Sequence, residues 1–448
     1  MPSRRKLLAL FAVLPLTGAW PAVAAAGAAS NAQVTVLQGG RIIDGTGAAP
    51  IENGSIVVKG GRIEAVQGPG SKPPEDARIV DVRGKTLMPA LIAGHAHLGL
   101  TNGTSAGVGN MTEANVMRQL QKYMRHGIGT VAVFGTDHDF IYTLRAAQRK
   151  GKLALPTILT AGHGFGVRDG VPPVSMGMDQ VYRPTSVAQV REDVGQLAAH
   201  KVDLIKIWVD DAGDGKARKM DPALYGEVIR QAHRHGIKVA AHVFYLEDAK
   251  RLARDGIDIF GHSVRDQPVD EELVALMKKN DIAYIPTLDL DEASFVYGDR
   301  PDWMQQPFFR QSLDPGVWEW LRSPAYKTKE QARKDFAMAQ ANVRTLHEAG
   351  IRVGLGTDSG ATIPRIQGFA EHRELELLLG AGLSPMQALQ AGTSVNAAIF
   401  GIDKERGVLA PGRQADILVL DADPLEDIRN TRKIHGVWLR GVLVSGAR

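Results

Sequence analysis

Between residues 88 and 358 the chain alternates in one way throughout. Short apolar runs ending in Gly, His, Asp or Thr are each followed by a longer stretch with helical spacing. Eight such runs occur: Met88–His97, Gly129–Gly135, Leu155–Gly162, Val202–Val209, Lys238–Phe244, Ile257–Ser263, Ile282–Leu288 and Arg352–Asp358. Strands that alternate with helices build βαβ units and a parallel sheet, because parallel neighbours need a long crossover. Eight units in about 270 residues predict an α/β fold of the (β/α)8 TIM-like barrel type. One helix illustrates the reading. Asp221-Pro222 supplies an N-cap and a first-turn proline, Leu224, Val228, Ile229 and Ala232 recur at helical spacing, and Gly236 stops the helix.

The two ends of the chain have another texture. Ser55–Lys59 and Arg62–Val66 flank Gly60-Gly61, a hairpin signal, and Asp416–Leu420 and Val437–Val444 read as strands. We therefore expect a small composite β-sandwich from residues 33–87 and 402–448, and a barrel over 88–401.

Residues 1–26 read as a signal peptide: Arg4-Arg5-Lys6, an apolar run from Leu7 to Leu16, then small residues from Ala22 to Ala26. Arg4-Arg5 ahead of Leu7-Leu8 resembles a twin-arginine signal, and the Sec route fits the same segment. The apolar run is about half the ~20 residues of a bilayer span, which favours cleavage over anchoring. The expected location is periplasmic or secreted, with no membrane association after cleavage. The net charge of +4 falls to +1 once those three cations are removed, and no other basic run suggests nucleic acid. There is no cysteine, so disulfides, thiolate metal sites and Cys nucleophiles are excluded.

Six residues carry the chemistry. His95 and His97 close the first run at i and i+2, which places both imidazoles on one face of a strand. In Val202–Val209, Leu204, Lys206 and Trp208 share one face, and the aliphatic Ile205, Ile207 and Val209 share the other. Lys206 is therefore expected to point inward. It would be held there by an ion pair with Asp203 or Asp210, by a substrate carboxylate, or by conversion of its neutral amine to a metal-bridging carbamate. His242, His262 and Asp358 end the fifth, sixth and eighth runs, on the face where barrel active sites sit. Inward His, Lys and Asp side chains in a core that should be apolar point to a divalent cation, and N and O donors suit Zn2+.

Other polar groups fall at strand ends. Asp137, His138, His163, Tyr245 and Arg265 are candidates to orient a small-molecule substrate, with His138, His163, Tyr245 and Arg265 taken as its binding set. His126, His200, His235 and His347 read as surface residues, and Gly99–Gly109 as a loop. The aromatic-rich stretch Leu288–Lys329 is long for a barrel loop, and reads either as a self-packed insertion or as a lid.

The motifs Gly94-His95-Ala96-His97, Ile205-Lys206-Ile207, Ala241-His242, Gly261-His262 and Gly356-Thr357-Asp358 resemble those of the amidohydrolase superfamily of metal-dependent hydrolases. So do the flanks Gly40–Gly47 and Gly407–Ile417. The resemblance is strongest to the imidazolonepropionase-related and prolidase-like (Xaa-Pro dipeptidase-like) branch. It implies a distorted barrel, one or two divalent ions, and hydrolysis of an amide, cyclic amide or peptide-like C–N bond, or of a C–O bond. Carried over by position, it implies that His95, His97 and Asp358 hold one ion, His242 and His262 the other, and carboxylated Lys206 bridges them. Asp358 would be the catalytic proton carrier. Ile207-Trp208-Val209-Asp210-Asp211 departs from the small Ser/Gly-rich turn of the dipeptidase branch, which speaks against peptide substrates. Rival readings are a lactonase or esterase on the same site, and a non-catalytic metal- or ligand-binding envelope protein. A homo-oligomer is compatible with all of them.

Export is testable directly. Mature protein from the cell envelope should begin near Ala26 on N-terminal sequencing, and intact Met1 there would refute cleavage. Changing Arg4-Arg5 to Lys-Lys should block export on the twin-arginine route and spare it on the Sec route.

Overall fold

The computed structural model describes residues 33–446, apart from 175, 176, 212 and 214. The expected signal peptide lies outside the described residues. Both chain ends meet in one mixed sheet. Its N-terminal strands are β1 (Thr35–Ile42), β2 (Ile51–Lys59), β3 (Arg62–Gln67), β4 (Arg78–Asp81) and β5 (Thr86–Pro89). The central region contributes β6 (Leu91–Ala96), a short hairpin β7 (Thr101–Asn102) and β8 (Ser105–Ala106), β9 (Ile128–Val133), β10 (Thr157–Thr160), β11 (Ile205–Trp208), β12 (Val239–His242), β13 (Ile259–Gly261) and β14 (Ala283–Ile285). The C-terminal strands β15 (Ile417–Leu420), β16 (Ile434–Leu439) and β17 (Val442–Gly446) complete the mixed sheet in the order β17-β16-β15-β5-β1-β2-β3, with β4 beside β1.

Two expected strands divide. The run Met88–His97 breaks at Pro89: β5 pairs with β15, Ala90 N–H donates to Asp416 O, and only β6 joins the parallel strands. Proline cannot donate to a ladder, so pairing changes partner there. Val437–Val444 folds back on itself through Arg440-Gly441, both at positive φ, the conformation of a tight hairpin turn.

The central strands are parallel and form two sheets, β10-β9-β6 and β11-β12-β13-β14. Isolated bridges extend them. Phe165 pairs with Ile207, Tyr284 with Val353 and Ala96 with Ser359. The eighth run, Arg352–Asp358, is thus not a regular strand. Its backbone bonds to β14 at Tyr284, then to β6 through Gly94 N–H to Leu355 O, and both Thr357 and Asp358 N–H groups donate to His95 O. Gly94 permits this approach, since a Cβ there would lie 2.5 Å from Leu355 O.

Helices α1 (Glu113–Arg125), α2 (Phe140–Arg149), α3 (Val187–Ala199), α4 (Pro222–Arg234), α5 (Leu246–Arg254) and α6 (Glu271–Lys279) follow successive strands. Asp221 caps α4 by accepting from Ala223 N–H, and Pro222 opens it. The stretch after β14 folds into short helices α7 (Leu288–Glu292), α8 (Val296–Asp299), α9 (Pro307–Ser312) and α10 (Val317–Arg322), followed by the longer α11 (Glu330–Glu348) and α12 (Phe369–Gly380). Phe295, Tyr297, Phe309 and Tyr326 of this insertion form a core shared with Ile366 and Phe369, so it is packed onto α12. Among the described residues, no helix is long and apolar enough to cross a membrane.

The parallel strands have two apolar faces with different partners. Val131, Val133, Ile205, Ile207, Val239 and Phe260 join the large core under the helices. Their alternates Ala132, Phe134, Leu204, Ala240, Ile259 and Ile285 form a separate inner cluster with Ile399. This period of two puts Lys206, two residues past Leu204, and His242, two past Ala240, on the inner face.

Asn396 ties the first and eighth segments, its Nδ2 donating to Ile92 O at 2.8 Å and Leu355 O at 2.7 Å inside the core. Asn396→Ala should therefore lower stability by about 1–3 kcal/mol, read by urea unfolding. A change within error would show that these bonds do not hold the segments together.

Candidate active site

The six candidate ligands meet at the C-terminal ends of the parallel strands. His95, Lys206, His242, His262 and Asp358 are all buried, as is His97. The His95 ring stacks on Phe134 with centroids 4.0 Å apart and lies 4.5 Å from the His262 ring, which meets His242 edge-on at 4.3 Å. Asp358 Oδ1 lies 2.8 Å from His97 Nε2 and 3.3 Å from His95 Nε2. Among the described residues, His95, His97 and Asp358 are the set of three whose donor atoms all lie within 4.8 Å of one another.

Neighbouring side chains orient these groups. His97 Nδ1 is 2.7 Å from Thr136 Oγ1 and His262 Nδ1 is 2.8 Å from Thr287 Oγ1, which turns each Nε2 toward the centre. The backbone is bent to deliver them: His262, Thr287 and Asp358 all have positive φ, at 113°, 53° and 58°. Such conformations cost energy in non-glycine residues and persist where surrounding structure imposes them. Around Asp358 that structure is Glu371 on α12. Its Oε1 accepts from Thr357 Oγ at 2.8 Å and Ser359 Oγ at 2.6 Å, and Tyr123 reaches Ser359 as well.

The electrostatics suit cation binding. Burial, with a further contribution from Lys206, pushes His95 down to about 3, and burial also drives His242 and His262 well below the usual histidine range. Burial lowers Lys206 to about 7, so a neutral amine is accessible near neutrality. Burial alone would raise Asp358, but Arg365 and the two histidines overcome it and hold the carboxyl well below its ordinary value. Neutral imidazoles and an ionised carboxylate are the forms that ligate metals.

The chemistry of the donor set can be tested on its unused atoms. Nδ1 of His95, Nδ1 of His242 and Nζ of Lys206 are buried without a hydrogen-bond partner, while Nε2 of each ring faces a carboxylate, Asp358 at 3.3 Å and Asp210 at 3.5 Å. Buried polar atoms are normally paired, and a cluster of exceptions needs a missing partner. Lys206 makes no ion pair with Asp203, which binds Arg145 and Arg149 instead. Its Nζ lies over the rings of Phe134 and Trp208, 5.2 and 5.4 Å from their centroids. The residues present fit a divalent cation.

A cavity of about 420 Å3 opens above the cluster, with His97, His242, His262 and Asp358 on its wall. Arg265 lies on that wall, paired with Asp291 at 2.8 Å. His138, His163 and Tyr245 are not among its lining residues. His163 contacts Asp139, and Lys219 sits over the Tyr245 ring. Asp137 is buried against Thr160. His126, expected at the surface, is buried against Phe308, with Nδ1 2.8 Å from Lys122 O. Thr136, Thr287, Arg365 and Glu371 join the site without being candidates from the sequence. Thr136 directly follows the second strand, a signal that could have been used. Arg365 and Glu371 reach Asp358 and its neighbours only through the tertiary fold.

A buried His/Asp/Lys cluster at the C-terminal ends of parallel strands, beneath a cavity, has the placement of an α/β active site. Residues 319–444 match the amidohydrolase family. A Bifidobacterium longum protein assigned as a prolidase superposes with a TM-score of 0.75 at 29% identity, covering 93% of this chain and 96% of that one. A Xaa-Pro dipeptidase with bound methionine gives 0.75 at 22% identity, over 92% of this chain and all of that one. Ochratoxinase from Aspergillus niger is 23% identical over 93% of this chain and 88% of its own length. With the fold and site, these likenesses fit the amidohydrolase superfamily, and the relatives support an enzyme that hydrolyses C–N bonds.

Removing a hydroxyl that orients a ligand should loosen the site without unfolding it. Thr136→Val and Thr287→Val should each weaken zinc binding by about 10–100-fold in competition with a chelator, with little change in Tm. Unchanged affinity would show that these hydroxyls do not set ring orientation.

Proposed function

We propose that this chain is an exported, metal-dependent hydrolase of an amide, cyclic amide or peptide-like C–N bond in a small molecule. In this reading the strand circuit is a distorted (β/α)8 barrel over residues 88–401, with the mixed sheet as its composite companion domain. His95, His97 and Asp358 would hold one divalent ion, His242 and His262 would hold a second, and Lys206 would join the two ligand sets as a carbamate. The observation that carries it is the group of buried, unpartnered nitrogens of His95, Lys206 and His242 above an apolar inner core.

Zinc, which suits the donor set, supplies a Lewis acid and an acidified water when bound. The remaining work falls to the chain. Lys206 Nζ in its neutral form adds to the carbon of carbon dioxide: an N–C bond forms, one C=O π bond opens onto its oxygen and an N–H proton leaves to solvent, so a neutral amine becomes an anionic carbamate. Asp358 turns Oδ1 toward His97 and His95 and Oδ2 toward Arg365, which fixes its plane. Its carboxylate accepts the proton of the attacking water and returns it to the departing nitrogen. Thr136, Thr287 and Glu371 keep the ligands in register, and the apolar layer beneath keeps bulk water out.

Lys206 decides between two ions and one. Lys206→Ala should lose most activity and most of the second metal, measured by elemental analysis of the purified mature protein. Lys206→Arg should fail to restore either, because a permanent cation cannot bridge cations. Two metals and near-normal turnover in Lys206→Ala would show that Lys206 is not a ligand, whereas a single metal in the unaltered protein would point to a mononuclear site on His95, His97, His242 and Asp358.

A further inference from the structure

Three histidines of the cluster are braced from behind, and one brace is unlike the others. Thr136 Oγ1 stands on Nδ1 of His97 and Thr287 Oγ1 on Nδ1 of His262, which leaves each Nε2 toward the centre. At His242 the arrangement is reversed. Nε2 faces the carboxylate of Asp210, with Oδ1 3.5 Å away, and Nδ1 is buried without a hydrogen-bond partner. The brace is a carboxylate rather than a hydroxyl, and it acts on the opposite ring nitrogen.

Asp210 is held in this position from several sides. Its side chain is fully buried. It lies two residues past Trp208, which pairs with His242 across β11 and β12. Its Oδ2 accepts the N–H of Phe244, two residues past His242, at 2.6 Å. The backbone around it is fixed as well: Met220 N–H donates to Val209 O at 2.9 Å, and Asp211 Oδ1 accepts from Gly213 N–H at 3.0 Å. With Oδ2 anchored on Phe244, Oδ1 is the oxygen turned to His242.

This contact bears on a proton. An ionised carboxylate only accepts, so it favours the neutral His242 ring with its proton on Nε2, and Nδ1 then carries the free lone pair. A threonine hydroxyl can donate or accept, and leaves the tautomer of its partner open. A carboxylate behind a histidine also makes the ring a stronger metal ligand.

We propose that Asp210 is a positioning residue for His242: it fixes the Nε2–H tautomer and so presents Nδ1 to the second divalent ion. The inference rests on the two-ion reading for its consequence, and on the contacts of Asp210 for its geometry. It also gives a purpose to Asp210 in the Ile207-Trp208-Val209-Asp210-Asp211 segment, where this chain departs from the Ser/Gly-rich turn of the dipeptidase pattern. The charge of Asp210 acts on Lys206 and Arg265 too, so a counter-ion role is the rival reading. The two differ at His242. A counter-ion needs only charge, whereas a positioning residue needs an acceptor at Nε2.

The test uses the mature protein, zinc and Asp210→Asn. Asparagine has one oxygen for two donors. The backbone N–H of Phe244 cannot move its proton and the imidazole can, so the amide oxygen stays on Phe244 and the amide nitrogen faces Nε2. The imidazole proton should then shift to Nδ1. Zinc titration against a chelator should show the second ion weakened by about 10–100-fold, with the first ion and Tm nearly unchanged. Unchanged affinity for both ions would overturn the proposal. The proton itself is read by NMR of 15N-histidine-labelled protein after chelator treatment, with His242→Gln used to assign the signal. Nε2–H in the unaltered protein and Nδ1–H in Asp210→Asn is the expected result. Nδ1–H in the unaltered protein, or the same tautomer in both, would overturn the proposal and leave Asp210 as a counter-ion. If the unaltered protein holds only one zinc, the two-ion reading fails by itself, and the same pair of tautomers still decides the role of Asp210.

Discussion

Burying several imidazoles, an amine and a carboxylate in one place is the constraint around which this molecule is organised. Each is a group whose charged form is costly away from water, and together they satisfy one another only in part. His95, His242 and Lys206 retain unpartnered nitrogens. A cation would resolve the conflict, because it would convert orphaned donor atoms into ligands. The apolar layer of Ala132, Leu159, Leu204, Ala240 and Ile259 beneath lowers the local dielectric and so strengthens that resolution.

Strain and support are distributed to match. Positive φ at His262 and Asp358 aims side chains that a regular strand would send elsewhere. The supports are remote in sequence: Thr287 for His262, Thr136 for His97, and Glu371 with Tyr123 for the segment around Asp358. The insertion after β14 joins this scaffold. Tyr297 donates to Pro364 O, in the loop that carries Arg365 to Asp358, and Leu290, Asp291 and Ser294 reach the cavity wall. The insertion thus has an aromatic core of its own and also borders the cavity.

The mixed sheet plays a supporting part. Joining both chain ends places β15 against β5, one residue before β6 begins, so the first central strand starts from a fixed point. Arg406 reaches from the C-terminal region to the hydroxyls of Thr130 on β9 and Thr157 on β10, with Asp416 3.2 Å away. The central strands are thereby tied to that region at the ends opposite the candidate site.

The period-two alternation and the strand-end positions of His95, His97, Lys206, His242 and His262 were legible in the sequence, because a strand's side-chain direction is a local property of the backbone. So were the α4 cap and the Gly60-Gly61 hairpin, which depend on a few adjacent residues. The eighth segment was legible as a position but not as a shape. Its bonds go alternately to β14, β6 and Asn396, and no local rule encodes partners that distant. For the same reason the positions of Arg365 and Glu371 beside Asp358 and its neighbours are not readable locally, nor is the placement of His138, His163 and Tyr245 away from the wall of this cavity. Which residues can ligate follows from side-chain chemistry and strand parity, both carried by the sequence. Which of them share a wall follows from loop paths and long-range packing, and only the tertiary structure decided that.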